Sequence, residues 1–233
     1  MMADQRFCFE YTPDYNNLKM LPVHLTPYRK RGVEIRYHAF FPGLELADVH
    51  DDLSQRSLAL HLQMFEIMAD LGEKVVTVHI GLDPRIELCP QKAIDNLCRL
   101  VDHAGKHDIT VSLENLRRGL TSNPNTVLDW SRRSGCAITL DLGHVVSSDH
   151  SRNGGPDILE TIRMFGPQLA EVHFYEKELD RHYAPRDMTI LGPAIDLLLQ
   201  TQCTWWTIEL DDPNEIAACR NLIWEYKQSH HQD

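Results

Sequence analysis

Residues 137–144 read AITLDLGH, a short apolar run that ends on an aspartate, a glycine and a histidine. Gly135 lies just before it, and its length and branched apolar content are those of a strand buried on both faces. The same pattern recurs in both directions along the chain. Upstream stand Arg6–Tyr11 (RFCFEY), Val33–Phe40 (VEIRYHAF), Val75–Ile80 (VVTVHI) and Thr110–Leu116 (TVSLENL); downstream stand Leu169–Tyr175 (LAEVHFY) and Trp205–Leu210 (WWTIEL). Between them lie helical patterns, at residues 55–71, 91–107, 125–134, 157–165, 194–201 and 214–227. In the first of these, Leu58, Leu62, Phe65, Met68 and Ala69 keep helical spacing, and Gly32, Gly72 and Gly135 are natural helix stops.

Strand–helix alternation with near-continuous apolar strands predicts a parallel sheet covered by helices. No glycine-rich nucleotide loop follows the first strand, so a TIM-type (β/α)8 barrel is preferred over a doubly wound open sheet. At 233 residues the chain is compact for such a barrel, which takes ~250. Seven strands are clear. The segment 18–31 contains Pro22 and Pro27, reads as a poor helix and leaves room for an extra strand near Val23. The barrel is therefore expected to be reduced or irregular near its N-terminus. No repeat, linker or low-complexity segment divides residues 1–233, which read as one domain.

Hydrophobic content of 42% and charged content of 24% are those of a soluble globular protein. No apolar run is long enough for a membrane span, and residues 1–6 lack the apolar core of a secretory signal. The six cysteines form no CxxC pair and read as reduced, mostly buried thiols, which points to the cytoplasm. The formal net charge of −11 makes DNA a disfavoured partner.

In a TIM barrel, residues at the C-terminal strand ends converge on one mouth. Successive strands deliver His38, His79, Glu114, Asp141 with His144 three residues on, His173 and Glu209 there; Asp180 and His182 follow in the next loop. Each alone has a bland reading. A lone strand histidine is usually a hydrogen-bonded core residue, and Glu114 could simply pair with Arg117 or Arg118. Recurrence over successive strands is what those readings do not explain. So many carboxylates in one dehydrated pocket resist ionisation unless a positive charge compensates them. A divalent cation with histidine co-ligands is the simplest compensation, and mixed nitrogen and oxygen donors suit zinc or manganese, with iron a further choice. His61, His103 and His107 on helices, and His50 and His150 in loops, are read as structural; His230 and His231 sit in a polar tail.

These strand ends resemble the xylose isomerase-like barrel superfamily, from about Val33 to the C-terminus. Residues 111–115 (VSLEN) resemble its glutamate strand, 139–144 (TLDLGH) its DxGH strand, 171–173 (EVH) its histidine strand and 207–210 (TIEL) its final glutamate. By that resemblance, the sugar isomerases and epimerases would hold one metal with Glu114, Asp141, His173 and Glu209. The endonuclease IV-like members would add His38, His79, His144, Asp180 and His182, for up to three ions. One ion would take His38, His79 and Glu114. A second would share Glu114 with Asp141, His173 and Glu209, and a third would take His144, Asp180 and His182. All nine ligand types are matched, so the favoured expectation is phosphoester hydrolysis by a multinuclear cluster on a small sugar-like or phosphorylated substrate. The alternatives are a single-metal sugar or sugar phosphate isomerase, with Glu114 and Glu209 moving the proton, and a non-catalytic metal- or ligand-binding barrel. Arg117, Arg118 and Arg181 are candidates for binding a phosphate or carboxylate. Residues 181–185 (RHYAP) resemble a loop of hydroxypyruvate isomerase-like proteins, which keeps the isomerase alternative in view.

Overall fold

The computed structural model describes residues 8–71 and 74–230. Arg6 and Phe7 of the expected first strand, the helix stop at Gly72, and His231 lie outside the described residues. The elements follow the expected alternation: β1 (Cys8–Tyr11), α1 (Leu21–Arg29), β2 (Glu34–Ala39), α2 (Asp51–Met68), β3 (Val75–Val78), α3 (Pro90–Gly105), β4 (Thr110–Glu114), α4 (Pro124–Ser134), β5 (Ala137–Asp141), α5 (Leu142–Ser147), α6 (Asp149–Arg152), α7 (Ile158–Phe165), β6 (Leu169–Phe174), β7 (Lys177–Glu178), β8 (His182–Tyr183), α8 (Gly192–Leu198), β9 (Trp206–Ile208) and α9 (Pro213–His230).

Packing divides the chain into two compact units, Met1–Leu113 with Asp129–Ala137, and Glu114–Leu128 with Ile138–Asp233. In the first, β1, β2, β3 and β4 pair in chain order and in parallel, with Tyr37 opposite Val76 and Thr77 opposite Ser112. In the second, β5, β6 and β9 also pair in parallel, with Asp141 opposite His173 and His173 opposite Thr207. Each parallel strand leads into a helical connection, the repeating unit of a TIM-type α/β barrel. The small antiparallel pair β7–β8 is inserted in the loop after β6.

The segment expected to hide a strand near Val23 is helical. Pro22 falls in the first turn of α1, where its missing N–H costs no helical hydrogen bond, while Leu21 and Leu25 anchor the helix in the core. Pro27 is tolerated within this short helix. Seven parallel strands therefore account for the barrel strands among the described residues. The helix stops at Gly32 and Gly135 both have positive φ, 73° and 79°. Helix α7 is closed by a capping box in which Asp157 accepts from the Glu160 N–H and Glu160 returns a bond to the Asp157 N–H. No cysteine is in a disulfide; Cys136, Cys203 and Cys219 are buried, Cys8 is exposed, and Cys89 and Cys98 lie between.

Two buried polar groups organise the first unit. The Glu45 carboxylate, in the loop after β2, accepts the backbone N–H groups of Gly81 and Asp83 at 2.8 and 3.0 Å and so pins the loop after β3. His61 on α2 donates from Nδ1 to the Ser57 carbonyl at 2.8 Å and packs on Phe41. Burial drives its pKa down to about 4. The folded chain keeps His61 neutral while the unfolded chain takes up a proton below about 6.5. Stability is therefore full above that pH and falls as the pH drops toward 4, by about 3 kcal/mol for this group. Denaturant unfolding of the chelator-treated protein at pH 7.5 and 4.5 checks this: His61→Gln should show a pH-dependent loss smaller by about 2 kcal/mol.

Candidate active site

In the second unit, Glu114 closes β4, Asp141 closes β5, His173 lies near the end of β6, and Glu209 follows β9. One donor atom from each falls within 4.8 Å of the others. His173 Nδ1 is 3.5 Å from Glu114 and 3.2 Å from Glu209. Glu114, Asp141 and His173 are buried, whereas the Glu209 side chain keeps 27% of its surface exposed. Burial drives the Asp141 carboxyl up to about 7, against the pull of His144, and the nearby Glu114 and Glu209 push it further the same way. Three carboxylates and one imidazole at these separations are a donor set for an oxygen-preferring or borderline divalent ion, and a cation there relieves their mutual repulsion. The residues fit the metal that the strand-end pattern implies.

Around this set lies a layer the sequence reading missed. Asn115 donates from Nδ2 to the Asp141 carbonyl at 3.0 Å and accepts the Asp141 N–H at 2.9 Å. Its own carbonyl accepts from His144 Nδ1 at 2.9 Å. The Tyr175 hydroxyl donates to Asp141 Oδ2 at 2.8 Å, and the His144 N–H bonds the other carboxylate oxygen, so that Asp141 caps α5. The signal was present in VSLEN: a buried asparagine directly after a ligand strand needs a purpose for its amide. Asn115→Ala removes the partner of the buried Asp141 N–H and one of the donors to its carbonyl. It should weaken metal binding by about 10–100-fold, measured by competition against a chromophoric chelator.

His144, expected with Asp180 and His182, instead meets Glu178 and His182. One donor atom from each of these three again falls within 4.8 Å of the others. His144 Nε2 is 3.2 Å from Glu178 Oε2. Burial opposes a charged imidazole at His144, but Asp141, Glu114 and Glu178 outweigh it and hold its pKa well above the ordinary value. Asp180 is exposed and accepts the Tyr183 hydroxyl at 2.7 Å. The cause is the β7–β8 hairpin. Glu178 and His182 are paired across it and share a face, whereas Asp180 sits at the tip of the turn, where the Leu179 N–H bonds the Arg181 carbonyl.

Two of the three candidate substrate arginines are committed elsewhere. Arg117 donates from Nη1 to the carbonyls of Glu178 and Leu179 at 2.9 and 2.8 Å, and its Nε lies 3.3 Å from Glu178 Oε2. Arg181 makes a two-pronged bond to Glu215 on α9, at 2.7 and 2.9 Å. Arg118 is exposed. His38 and His79 belong to the first unit. Their Nε2 atoms are 2.9 Å apart, and His38 Nδ1 is 3.8 Å from Glu10.

The sequence profile of the xylose isomerase-like TIM barrels matches residues 28–224. The chain belongs to that family. A chain described as an uncharacterised protein, from Methanocaldococcus jannaschii, is 30% identical over 156 residues, 66% of this chain and 67% of its own. Solved structures share the xylose isomerase-like fold at lower identity. A D-tagatose 3-epimerase-like protein superposes with a TM-score of 0.77 at 18% identity, covering 95% of this chain and 88% of its own. D-psicose 3-epimerase solved in the presence of D-fructose gives 0.75 at 12%, with the same coverage. A Thermus thermophilus protein soaked with ZnCl2 gives 0.72 at 16%, covering 96% and 89%. Among the described residues no helix is long and apolar enough to cross a membrane.

Proposed function

We propose that the protein is a divalent-metal-dependent sugar epimerase or isomerase acting on an unphosphorylated sugar. The observation that carries the reading is the pair Glu114 and Glu209, which approach the same His173 nitrogen from β4 and β9. Proton transfer next to a carbonyl needs one base to remove the C–H proton and an acid to return one. Two carboxylates facing one small space supply both. One takes the proton from the carbon beside the carbonyl, the C–H electron pair moves toward the carbonyl oxygen, and the other delivers a proton to complete the exchange. A divalent ion held by Glu114, Asp141, His173 and Glu209 supplies polarisation of that carbonyl. Asn115 and Tyr175 keep Asp141 in place while the two glutamates work.

The solved structures that share the fold include proteins described as epimerases, which supports this chemistry over the phosphoester hydrolysis expected from the nine-ligand match. Asp180, one of the nine, lies at an exposed turn. The prior engagement of Arg117 and Arg181 favours a neutral sugar over a phosphorylated one. The deciding experiment incubates metal-loaded protein with ketopentoses and ketohexoses in D2O. Deuterium entering a single sugar carbon together with a new epimer or isomer supports the reading. Absence of exchange with every such sugar, alongside release of phosphate from phosphoesters, would replace it with hydrolysis.

A further inference from the structure

We infer that Arg181 is a positioning residue for Glu209: together with His182 it clasps the two ends of the link between β9 and α9, and Glu215 is the anchor it closes on. The inference rests on the epimerase reading in its kinetic arm alone. Glu209 needs such support. Strand β9 ends at Ile208, so the glutamate that follows lies outside the sheet ladder, and its side chain keeps 27% of its surface exposed where that of Glu114 keeps 1%. A reacting group misplaced by about 1 Å loses on the order of a hundredfold in rate.

The β7–β8 hairpin supplies the support from two adjacent residues. At the start of the link, His182 donates from Nδ1 to the Glu209 carbonyl at 2.9 Å. That ring is itself seated on Tyr175, with centroids 4.0 Å apart and 12° between planes. At the far end, Arg181 makes its forked bond to Glu215 in the first turn of α9. Neighbouring side chains of an extended segment point to opposite sides, which lets the two residues reach different places. The Arg181 guanidinium accordingly lies over the ring of Tyr183, two positions on, at 4.7 Å. Between the clasped ends, Asp212 caps α9 by accepting the Asn214 N–H at 2.7 Å, which ties the link to the helix start.

A single exposed ion pair usually holds little. This one is forked, so each partner fixes the orientation of the other, and the planar guanidinium is preorganised for that geometry. The Tyr183 ring beneath it is tied by its own hydroxyl to Asp180. Glu215, an acid in a first helical turn, also suits the positive end of α9. Arg181, a sequence candidate for binding substrate, thus acts through the backbone that carries Glu209.

The test compares zinc-loaded Arg181→Ala, Glu215→Ala and the double variant with the unaltered chain, with circular dichroism checking the fold. Amide hydrogen exchange, read by mass spectrometry, needs no turnover. The reporting amides are those of Glu176 and Leu179, bonded to the carbonyls of Tyr183 and Arg181 in the hairpin, and of Ile216, bonded to the Asp212 carbonyl at the start of α9. Each should exchange about 3–5-fold faster in either single variant. The double variant should be no worse than either alone, since both substitutions remove the same bond. In the kinetic arm, Arg181→Ala should lower kcat about tenfold with KM within about twofold. It should also bias deuterium wash-in toward the epimer whose proton Glu114 removes, whereas general loosening of the fold would affect both epimers alike. The inference is overturned if exchange at these amides is unchanged, if the two single losses add in the double variant, or if kcat falls with no preference between epimers. Where no form of the protein turns over any sugar, the epimerase reading fails and the exchange arm decides the clasp by itself.

Discussion

Glu209→Gln should abolish interconversion of the two sugar epimers, with a loss of about 10²–10⁴-fold, the usual worth of a positioned general base. The more informative result lies in isotope exchange. If Glu114 and Glu209 serve opposite faces of the substrate, removing one leaves the other able to remove a proton from one epimer only. Glu209→Gln should then wash deuterium into one sugar and not its epimer, and Glu114→Gln should show the reverse preference. Glutamine keeps the shape and one ligand oxygen, so zinc content measured on the same samples separates lost chemistry from a lost ion. Equal exchange with both epimers in either variant would show that a single base works both faces.

Gly143→Ala should be nearly as damaging, although position 143 has no chemistry of its own. A Cβ built at Gly143 overlaps the ring of Tyr175, coming within 2.6 Å of its Cζ. The ring cannot yield cheaply: it is fully buried, its hydroxyl is bonded to Asp141, and its face is stacked on His182. Overpacking of this kind costs about 1–3 kcal/mol, and here the strain is relieved by moving a residue that holds a metal ligand. The expected outcome is a lower melting temperature together with a fall in zinc affinity of more than tenfold. Tyr175→Phe, which keeps the ring and removes only the hydroxyl, should cost less on both measures. If Gly143→Ala matches the unaltered chain in zinc affinity, Tyr175 is not holding Asp141 where the ion needs it.

The glycine of the DxGH pattern is thus required for close approach. It sits in the first turn of α5, where a residue with a side chain would be tolerated by the backbone. Sequence could show that a glycine stood there but not which ring lay against it, because Tyr175 comes from the segment just after the next strand. Strand ends were legible for the opposite reason. Apolar runs such as VVTVHI and AITLDL mark where a buried strand stops, and the parallel arrangement brings those ends to one mouth; the family resemblance then singled out Glu114, Asp141, His173 and Glu209. Glu178 was hidden in a loop whose hairpin, with strands of two residues each, has no apolar periodicity to reveal its register. The family resemblance paired Asp180 with His182, and nothing in the sequence tells that a hairpin turn falls between Glu178 and His182. Helix α1 was obscured because two prolines were weighed without regard to position; the first falls where a helix accepts it.

Tyr175 belongs to both donor sets, through its hydroxyl on Asp141 and its ring on His182. Whatever draws Asp141 out of place therefore pulls, through one ring, on the seat of His182. Thermodynamic reciprocity then requires that, if a ligand on Asp141 shifts that ring and so alters what binds at His182, binding at His182 alters the affinity at Asp141 by the same factor.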